Sequence, residues 1–403
     1  MTIQKEKISV TAEELVQRAQ DMIPWLKERA EETENARKVS AETIEKFRKA
    51  GFFKITQPRR WGGYEMDLDV FCRVLMEIGR GCPSSAWNLA VLGVHNWEMG
   101  LLPEAAEDIW NQNSNALIGS AYAPVGKATK VDGGWILTGQ WPTSSGCDHT
   151  QWTIVGAYVA SEDDSKPDHR AFLVPKSEYT ILDNWYVFGL KGTGSKSVII
   201  DNVFVPDHRT HSIIDQPWSD RPSLYQLHQT FVFFACISSG VIGFAQGAID
   251  HFMEHMKTRT TIRKTNTGGN KASQSPYVKD RLGNAVLNVR SARARLLQAV
   301  REATAYVNRG EKVPEGEYVH FVLDTASVGQ ECVDAVILLQ RALGARGVYS
   351  SSPIQRILRD TLAAACHGTQ NSDDTAGTLG GYLLGEGIPP RLFNLDGYTP
   401  ESL

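Results

Sequence analysis

No Cys-x-x-Cys pair occurs in the 403 residues, and the six cysteines follow no even spacing. Neither a thiol redox motif nor a disulfide framework is expected, and the chain reads as a reduced, cytoplasmic protein. A basic excess is missing as well. The net charge is −4 and the pI about 6.2, which argues against nucleic acid or an anionic membrane as partner. No apolar run approaches the roughly 20 residues of a membrane span. The opening MTIQKEKISV lacks the apolar core of a signal peptide, and the closing Glu401-Ser402-Leu403 is not the Ser-Lys-Leu peroxisomal address. Internal repeats and low-complexity segments are absent too. What is present is an ordinary globular composition, 42% hydrophobic and 22% charged, with length for two or three domains.

Along the chain the pattern is helical, then β, then helical. Thr11 and Glu14 form a capping box ahead of Leu15, Ala19, Met22, Ile23, Leu26 and Ala30 at helical spacing, which predicts a helix over 11–38. A short helix starts at Ser40 and stops at Gly51, and a third is capped by Asp67 or Asp69 and broken at Arg80-Gly-Cys-Pro83. Ser84 opens an apolar helix running past His95, and Glu104 to Asn111 adds one more. From Leu117 to about Pro206 short β-branched or alternating runs take over: 117–122, 129–131, 135–138, 152–159, 171–175, 180–182 and 197–205. These predict a small antiparallel β domain, a barrel or sandwich. Four long amphipathic segments follow: 224–263, interrupted near Ser238-Ser-Gly240, then 277–309, 317–343 and 353–384. They suggest a four-helix bundle. The expected fold is mostly α, in the α+β class, with domains over 1–116, 117–222 and 223–403.

The stretch Trp135 to Cys147 organises the chemistry. A strand runs into the hydroxyl-rich Thr143-Ser-Ser-Gly146 and then into a second strand from Gln151. Such a crossover offers O–H and N–H groups at one rigid edge, where a planar polar ring such as a flavin can be held, although turn positions also favour Ser and Thr. Two other motifs weigh less. His251-Phe-Met-Glu-His255 fits an inverted zinc-peptidase pattern with both histidines on one helix face, but a third ligand is needed, and no metal is expected. Gly189-Leu-Lys-Gly-Thr-Gly-Ser-Lys-Ser197 misses the phosphate-loop spacing by one residue and runs into a strand instead of a helix. A tight glycine turn bringing backbone close to a ligand remains open there.

Taken together, the pieces resemble the acyl-CoA dehydrogenase fold superfamily over nearly the whole chain. The resemblance is carried by Pro58-Arg-Arg-Trp-Gly-Gly-Tyr-Glu-Met-Asp67, Glu77-Ile-Gly-Arg-Gly-Cys82, Gly139-Gln-Trp-Pro-Thr-Ser-Ser-Gly146, Asp201-Asn-Val-Phe-Val-Pro206, Gln340-Arg-Ala-Leu-Gly-Ala-Arg-Gly347 and Arg356 to Asp360. Two departures matter. The dehydrogenases' Thr-Glu-Pro-x-x-Gly-Ser-Asp motif is here Ser120-Ala-Tyr-Ala-Pro-Val-Gly-Lys127. The residue before Gly368-Thr369, a base-bearing Glu in some dehydrogenases, is His367. An imidazole suits phenol deprotonation near neutral pH better than removal of a thioester α-proton.

Both changes resemble the flavin-dependent monooxygenase branch, the oxygenase halves of two-component aromatic hydroxylases. That resemblance implies reduced flavin (FMNH2 or FADH2), O2, a C4a-hydroperoxyflavin and hydroxylation of a phenolic or heteroaromatic substrate. It also implies a separate NAD(P)H:flavin reductase and a homotetramer whose flavin site a neighbouring subunit completes around Gln340 to Gly347. The implied catalytic residues are His367, to hold or deprotonate the substrate hydroxyl, and Ser144 or Ser145, to meet the flavin N5 edge. Trp141, Thr143, Arg259, Gln340, Gly344 and Gly347 would bind cofactor, with Arg263 near enough to be confused with Arg259 and with Trp185 and Phe188 as further walls. His95, Ser120 and Tyr122 would join His367 around the substrate. The alternative is an FAD-dependent oxidoreductase of acyl-CoA dehydrogenase or nitroalkane-oxidase type.

Overall fold

The N-terminal helices form where the sequence places stop and start signals. In the computed structural model, which describes residues 10–159, 168–213, 221–260 and 271–386, Thr11 and Glu14 close a reciprocal capping box on α1 (Ala12–Ala36). α2 (Ala41–Ala50) is capped by Ser40 and ends on Gly51 at φ 83°, a left-handed position that glycine adopts without penalty. α3 (Leu68–Gly81) and α4 (Pro83–Glu98) are separated by Cys82 and the proline that opens α4. α5 (Pro103–Trp110) leads into the sheet.

The β region is one open sheet of seven strands in the order β5-β6-β2-β1-β3-β4-β7. The strands are β1 (Ile118–Val131), β2 (Gly134–Ser144), β3 (Trp152–Val159), β4 (Asp168–Pro175), β5 (Thr180–Leu182), β6 (Lys196–Pro206) and β7 (Thr210–Ser212). Two expectations need correction. The sheet is mixed, because β1 and β3 run parallel while the other pairs are antiparallel. It is also not closed, since β5 and β7 are edges. The parallel pair arises because the hydroxyl-rich segment after β2 carries the chain across to the far side of β1 instead of turning back. The predicted runs 117–122 and 129–131 are one long strand with register shifts near Val125, and β7 went unpredicted.

The C-terminal helices differ from the expected four. α6 (Gln229–Thr258) is continuous through Ser238-Ser-Gly240. Ser238 gives its hydroxyl to Thr325 O on another helix, and Ser239 bonds back to Ala235 O one turn earlier, so both hydroxyls are satisfied without breaking the helix. Gly240 and Gly243 let α3 approach: a Cβ at Gly79 would lie 2.6 Å from Gly240 O. α7 (Pro276–Asn308) is as expected. The third segment splits at Ser327 into α8 (Glu315–Ala326) and α9 (Val328–Leu343). The fourth splits around His367 into α10 (Pro353–Ala365) and α11 (Ser372–Leu383). α6 is also a correction to the expected lack of a span-like run: by length and composition it could cross a membrane, but 83% of its apolar window is buried inside the protein. It is the central helix of the largest core, against α3, α4, α9 and α10.

Candidate active site

The site is built on α4. From Pro83 to Glu98 every residue is buried except Val91, which is half-buried. Trp87, Val91 and His95 are spaced by four and share one face. Opposite them stand Ser120 and Tyr122, two apart on β1 and so on one side of the strand, and Phe233 of α6, all half-buried. His95, Tyr122 and Phe233 form a ring cluster with centroids 5.9, 5.4 and 5.4 Å apart. Trp87 and His95 lie roughly 12 Å apart along the helix axis, eight residues at about 1.5 Å each.

At the Trp87 end, β2 delivers the two serines. A bulge between Trp141 and Ser144 sets three residues against two of β6, and Thr143 takes φ 63°. The extra residue reverses the alternation: Thr143 points to solvent and Ser144 inward, fully buried. Ser145 sits in a chain of hydroxyls whose direction its end decides. Thr193 Oγ1 donates to Leu190 O at 2.8 Å, so Ser195 must donate to Thr193 (2.6 Å) and Ser145 to Ser195 (2.6 Å), while Trp87 Nε1 donates to Ser145 at 3.1 Å. The Ser145 proton is committed. Ser144 Oγ has no partner among the described residues, and a Cβ at Gly119, next to Ser120, would lie 3.6 Å from it. An unclaimed buried hydroxyl at a strand end fits the edge of a planar polar ring.

The same indole meets His367. The rings of Trp87 and His367 stand edge to face, centroids 5.3 Å apart. His367 caps the short 3-10 turn Gly368–Gln370, its Nδ1 accepting from Thr369 N (3.2 Å) and contacting Thr369 Oγ1 (2.9 Å). Because Nδ1 accepts the Thr369 backbone N–H it carries no hydrogen, so the Thr369 hydroxyl can only donate to it. Nδ1 is therefore an acceptor, and the neutral ring carries its proton on Nε2. His367 is an exposed residue, yet the protein packed around its ring pushes the imidazole down to about 4. Water at its exposed side works against the shift, but both leave a neutral ring near pH 7.

At the other end, the proton sits on the opposite nitrogen. His95 Nδ1 is 2.8 Å from Glu98 Oε2, and that carboxylate also accepts from Tyr122 OH (2.5 Å) and Gln229 Nε2 (3.0 Å). Burial pushes the Glu98 carboxyl up, but contacts with His211 and His95 outweigh it and hold it down at about 2. An ionised carboxylate only accepts, so Nδ1 of His95 carries hydrogen. Its Nε2, buried, has no partner among the described residues. Tyr122 turns its hydroxyl to Glu98 and its ring to Phe233; we call the space between α4, β1 and Phe233 the candidate cleft. Glu98 escapes a sequence reading because a lone Glu at a helix end resembles any solvated residue; only its three-residue offset from His95 hinted at a pair.

Other expected residues lie elsewhere. Trp141, expected to wall a cofactor, is a core residue of the sheet: fully buried, donating to Gly156 O at 2.7 Å and packed on Gly126 and Gly139. Trp185 donates to Leu190 O, and Phe188 is an exposed ring. The Gly189–Ser197 turn approaches α10 rather than a ligand, a Cβ at Gly189 lying 2.0 Å from Arg359 O; its Thr193 and Ser195 anchor Ser145. Arg259 donates to Ala342 O (3.3 Å) and Leu343 O (2.8 Å), closing the end of α9. It thus joins Gln340, which donates to Gly347 O at 2.7 Å, and Gly344 at φ 61°. A groove of about 540 Å3 beside this patch is lined by His251, His255, Arg346, Ser351 and Ser352. Burial pushes His251 down to about 4, and no three metal-ligating side chains gather among the described residues. Gly329, at the other end of α9, touches Gln370. The patch is therefore roughly 21 Å of helix away from the His367 corner. Arg263 lies outside the described residues.

Comparison with known proteins places the whole chain in one family. Residues 9–102 match the acyl-CoA dehydrogenase N-terminal domain and residues 235–372 its C-terminal domain. The oxygenase subunit HsaA of a flavin-dependent monooxygenase from Rhodococcus jostii is 33% identical, over 89% of this chain and 95% of that protein. The oxygenase component of an FADH2-dependent resorcinol hydroxylase from a Rhizobium species is 31% identical, over 92% of this chain and 94% of that protein. Among solved structures, XiaF from a Streptomyces species, in complex with FADH2 and glycerol, has a TM-score of 0.84 at 25% identity, covering 94% of this chain and 96% of that one.

Proposed function

The chain belongs to the acyl-CoA dehydrogenase family, in its branch of flavin-dependent monooxygenase oxygenase components, and from that membership we propose that it hydroxylates a phenolic or heteroaromatic substrate as the oxygenase of a two-component system. The observation that carries this reading is the link Ser144-Ser145, Trp87, His367: hydroxyls from the sheet and an imidazole from the helices meet across one indole. With O2, reduced flavin supplies the oxygen atom.

The chain's own groups then divide the work. Ser144, with its unclaimed hydroxyl, meets the flavin edge, while Ser145 and the Thr193–Ser195 chain hold the backbone there. His367 donates from Nε2 to the substrate oxygen, favouring its ionised form; with Nδ1 engaged, holding that oxygen is its part rather than taking its proton. His95, Ser120 and the rings of Tyr122 and Phe233 line the substrate's far side. Trp87, Val91 and Phe233 keep the cleft apolar and poor in water. A fully bonded Glu98 behind His95 does not serve as the α-proton base that a dehydrogenase needs.

A separate flavin reductase supplies the cofactor, as the oxygenase-component relatives imply. The chain acts as a homotetramer in the cytoplasm. The distance of Arg259, Gln340, Gly344 and Gly347 from the His367 corner supports their serving a neighbouring subunit's flavin, and six free cysteines support a reducing compartment. The division 1–116, 117–222 and 223–403 is supported by all seven strands falling within the middle span. Of the two flavins, FADH2 is favoured by the resorcinol hydroxylase relative. Anaerobic titration with FMNH2 and FADH2, then mixing with 18O2 and phenol, tests the reading. A labelled diphenol is expected; no binding of either reduced flavin would overturn it.

A further inference from the structure

A carboxylate with no exposed surface needs a reason. Glu98 has 0% exposure, and removing its charge from water costs several kcal/mol unless donors surround it. It has four neighbours that can donate: His95, Tyr122 and Gln229 by hydrogen bonds, and His211 of β7, whose Nε2 is 3.1 Å from Oε1 without good alignment. Two of these four come from α4 and α6, and two from the sheet. Their common product is one orientation of the His95 ring. Tyr122 is held well above its ordinary value by burial and by the Glu98 charge, so it stays a donor and cannot take the proton from Nδ1.

We propose that Glu98 is a positioning residue: it fixes His95 with hydrogen on Nδ1, so that Nε2 faces the cleft as a hydrogen-bond acceptor for an O–H or N–H of the substrate. His367, fixed the other way by Thr369, presents a donor. The cleft thus reads two different groups: a donor on the substrate at His95, an acceptor at His367. This rests on the cleft being the substrate site, as proposed above. Glu98 itself touches no substrate and acts through His95.

The test is binding of phenol and of anisole, its methyl ether without a donor, to the flavin-free full-length protein, read by tryptophan fluorescence. In the wild type phenol should bind more tightly than anisole. Glu98→Leu removes both acceptor oxygens, so nothing holds hydrogen on the His95 Nδ1. Phenol affinity should fall about tenfold, and anisole affinity should hold. In a His95→Ala background, Glu98→Leu should change nothing further. A second variant, Gln229→Leu, removes one donor but leaves His95 bonded to Glu98, and should retain the phenol preference. Equal losses for phenol and anisole, or additive effects with His95→Ala, overturn the positioning role while leaving the substrate-site reading intact. Failure of the wild type to bind phenol at all overturns both.

Discussion

The two ends of the cleft hold the same side chain in opposite states. At the His367 end the partner is a backbone N–H and a threonine hydroxyl, so Nδ1 is an acceptor and the proton sits on Nε2. At the His95 end the partner is a buried carboxylate, and the proton sits on Nδ1. The lesson is that residue type does not set what an imidazole offers; the group behind it does. The His367 end is half open and tied to its own short turn. The His95 end is sealed and tied to three elements at once. A ligand should reorganise the first more readily than the second.

The contrast can be broken most directly at His367. His367→Ala removes the donor facing the substrate oxygen, and hydroxylation turnover should drop about a hundredfold with reduced-flavin affinity unchanged. A loss under tenfold would mean the two ends do not differ in the way argued. Next in size are the serines. Ser144→Ala should raise the fraction of O2 released as hydrogen peroxide about tenfold, whereas Ser145→Ala should act mainly through loosened packing of Trp87 and move it less. The reverse ranking, measured by peroxide assay, would hand the flavin edge to Ser145. The remote patch gives a smaller effect. Arg259→Met should weaken reduced-flavin binding severalfold and, by uncapping α9, lower stability by about 0.5–1 kcal/mol. A change in melting temperature alone would make the patch purely structural.

The smallest effect concerns acid. Burial holds His228 and His251 at about 4, below the ordinary 6.5. Between those values the unfolded chain binds protons that the folded one refuses, so stability falls as pH drops through the window. Asp360, pushed up to about 7 chiefly by burial, works in the opposite sense and gains on acidification. His228→Asn removes one of the destabilising groups. Its loss of stability from pH 7 to pH 5 should be smaller than the wild type's by about 1 kcal/mol, as measured by urea titration at the two pH values.

Much of the fold was legible because its signals are local. Thr11 and Glu14, Gly51, Pro83 and the β-branched runs each act within a few residues. The errors came where a distant partner changed the outcome. Ser238-Ser-Gly240 looks like a break, yet Thr325 O and the α3 backbone accept it into one helix. Seven strands were near the mark in number, but nothing local says that β3 lies parallel to β1. Of the site, His95, Ser120, Tyr122, Ser144, Ser145 and His367 are named from resemblance; the fold brings Ser145 and His367 to Trp87, and Tyr122 to His95. Trp141 packs on Gly126 and Gly139, a setting that only the pairing of β1 with β2 creates. Glu98, Trp87, Ser195 and His211 were invisible, since each matters only through what another segment brings to it.

By itself, then, the amino-acid order determined which segments coil and which extend, where they stop, and which polar side chains sit at their ends, because those depend on neighbours along the chain. Proton placement on two imidazoles, the choice between two adjacent serines and the ionisation of a sealed glutamate were decided only in three dimensions. A hydrogen bond's direction is set by whatever group stands within about 3 Å, and for these residues that group comes from another part of the chain or from the tight local turn that the fold imposes.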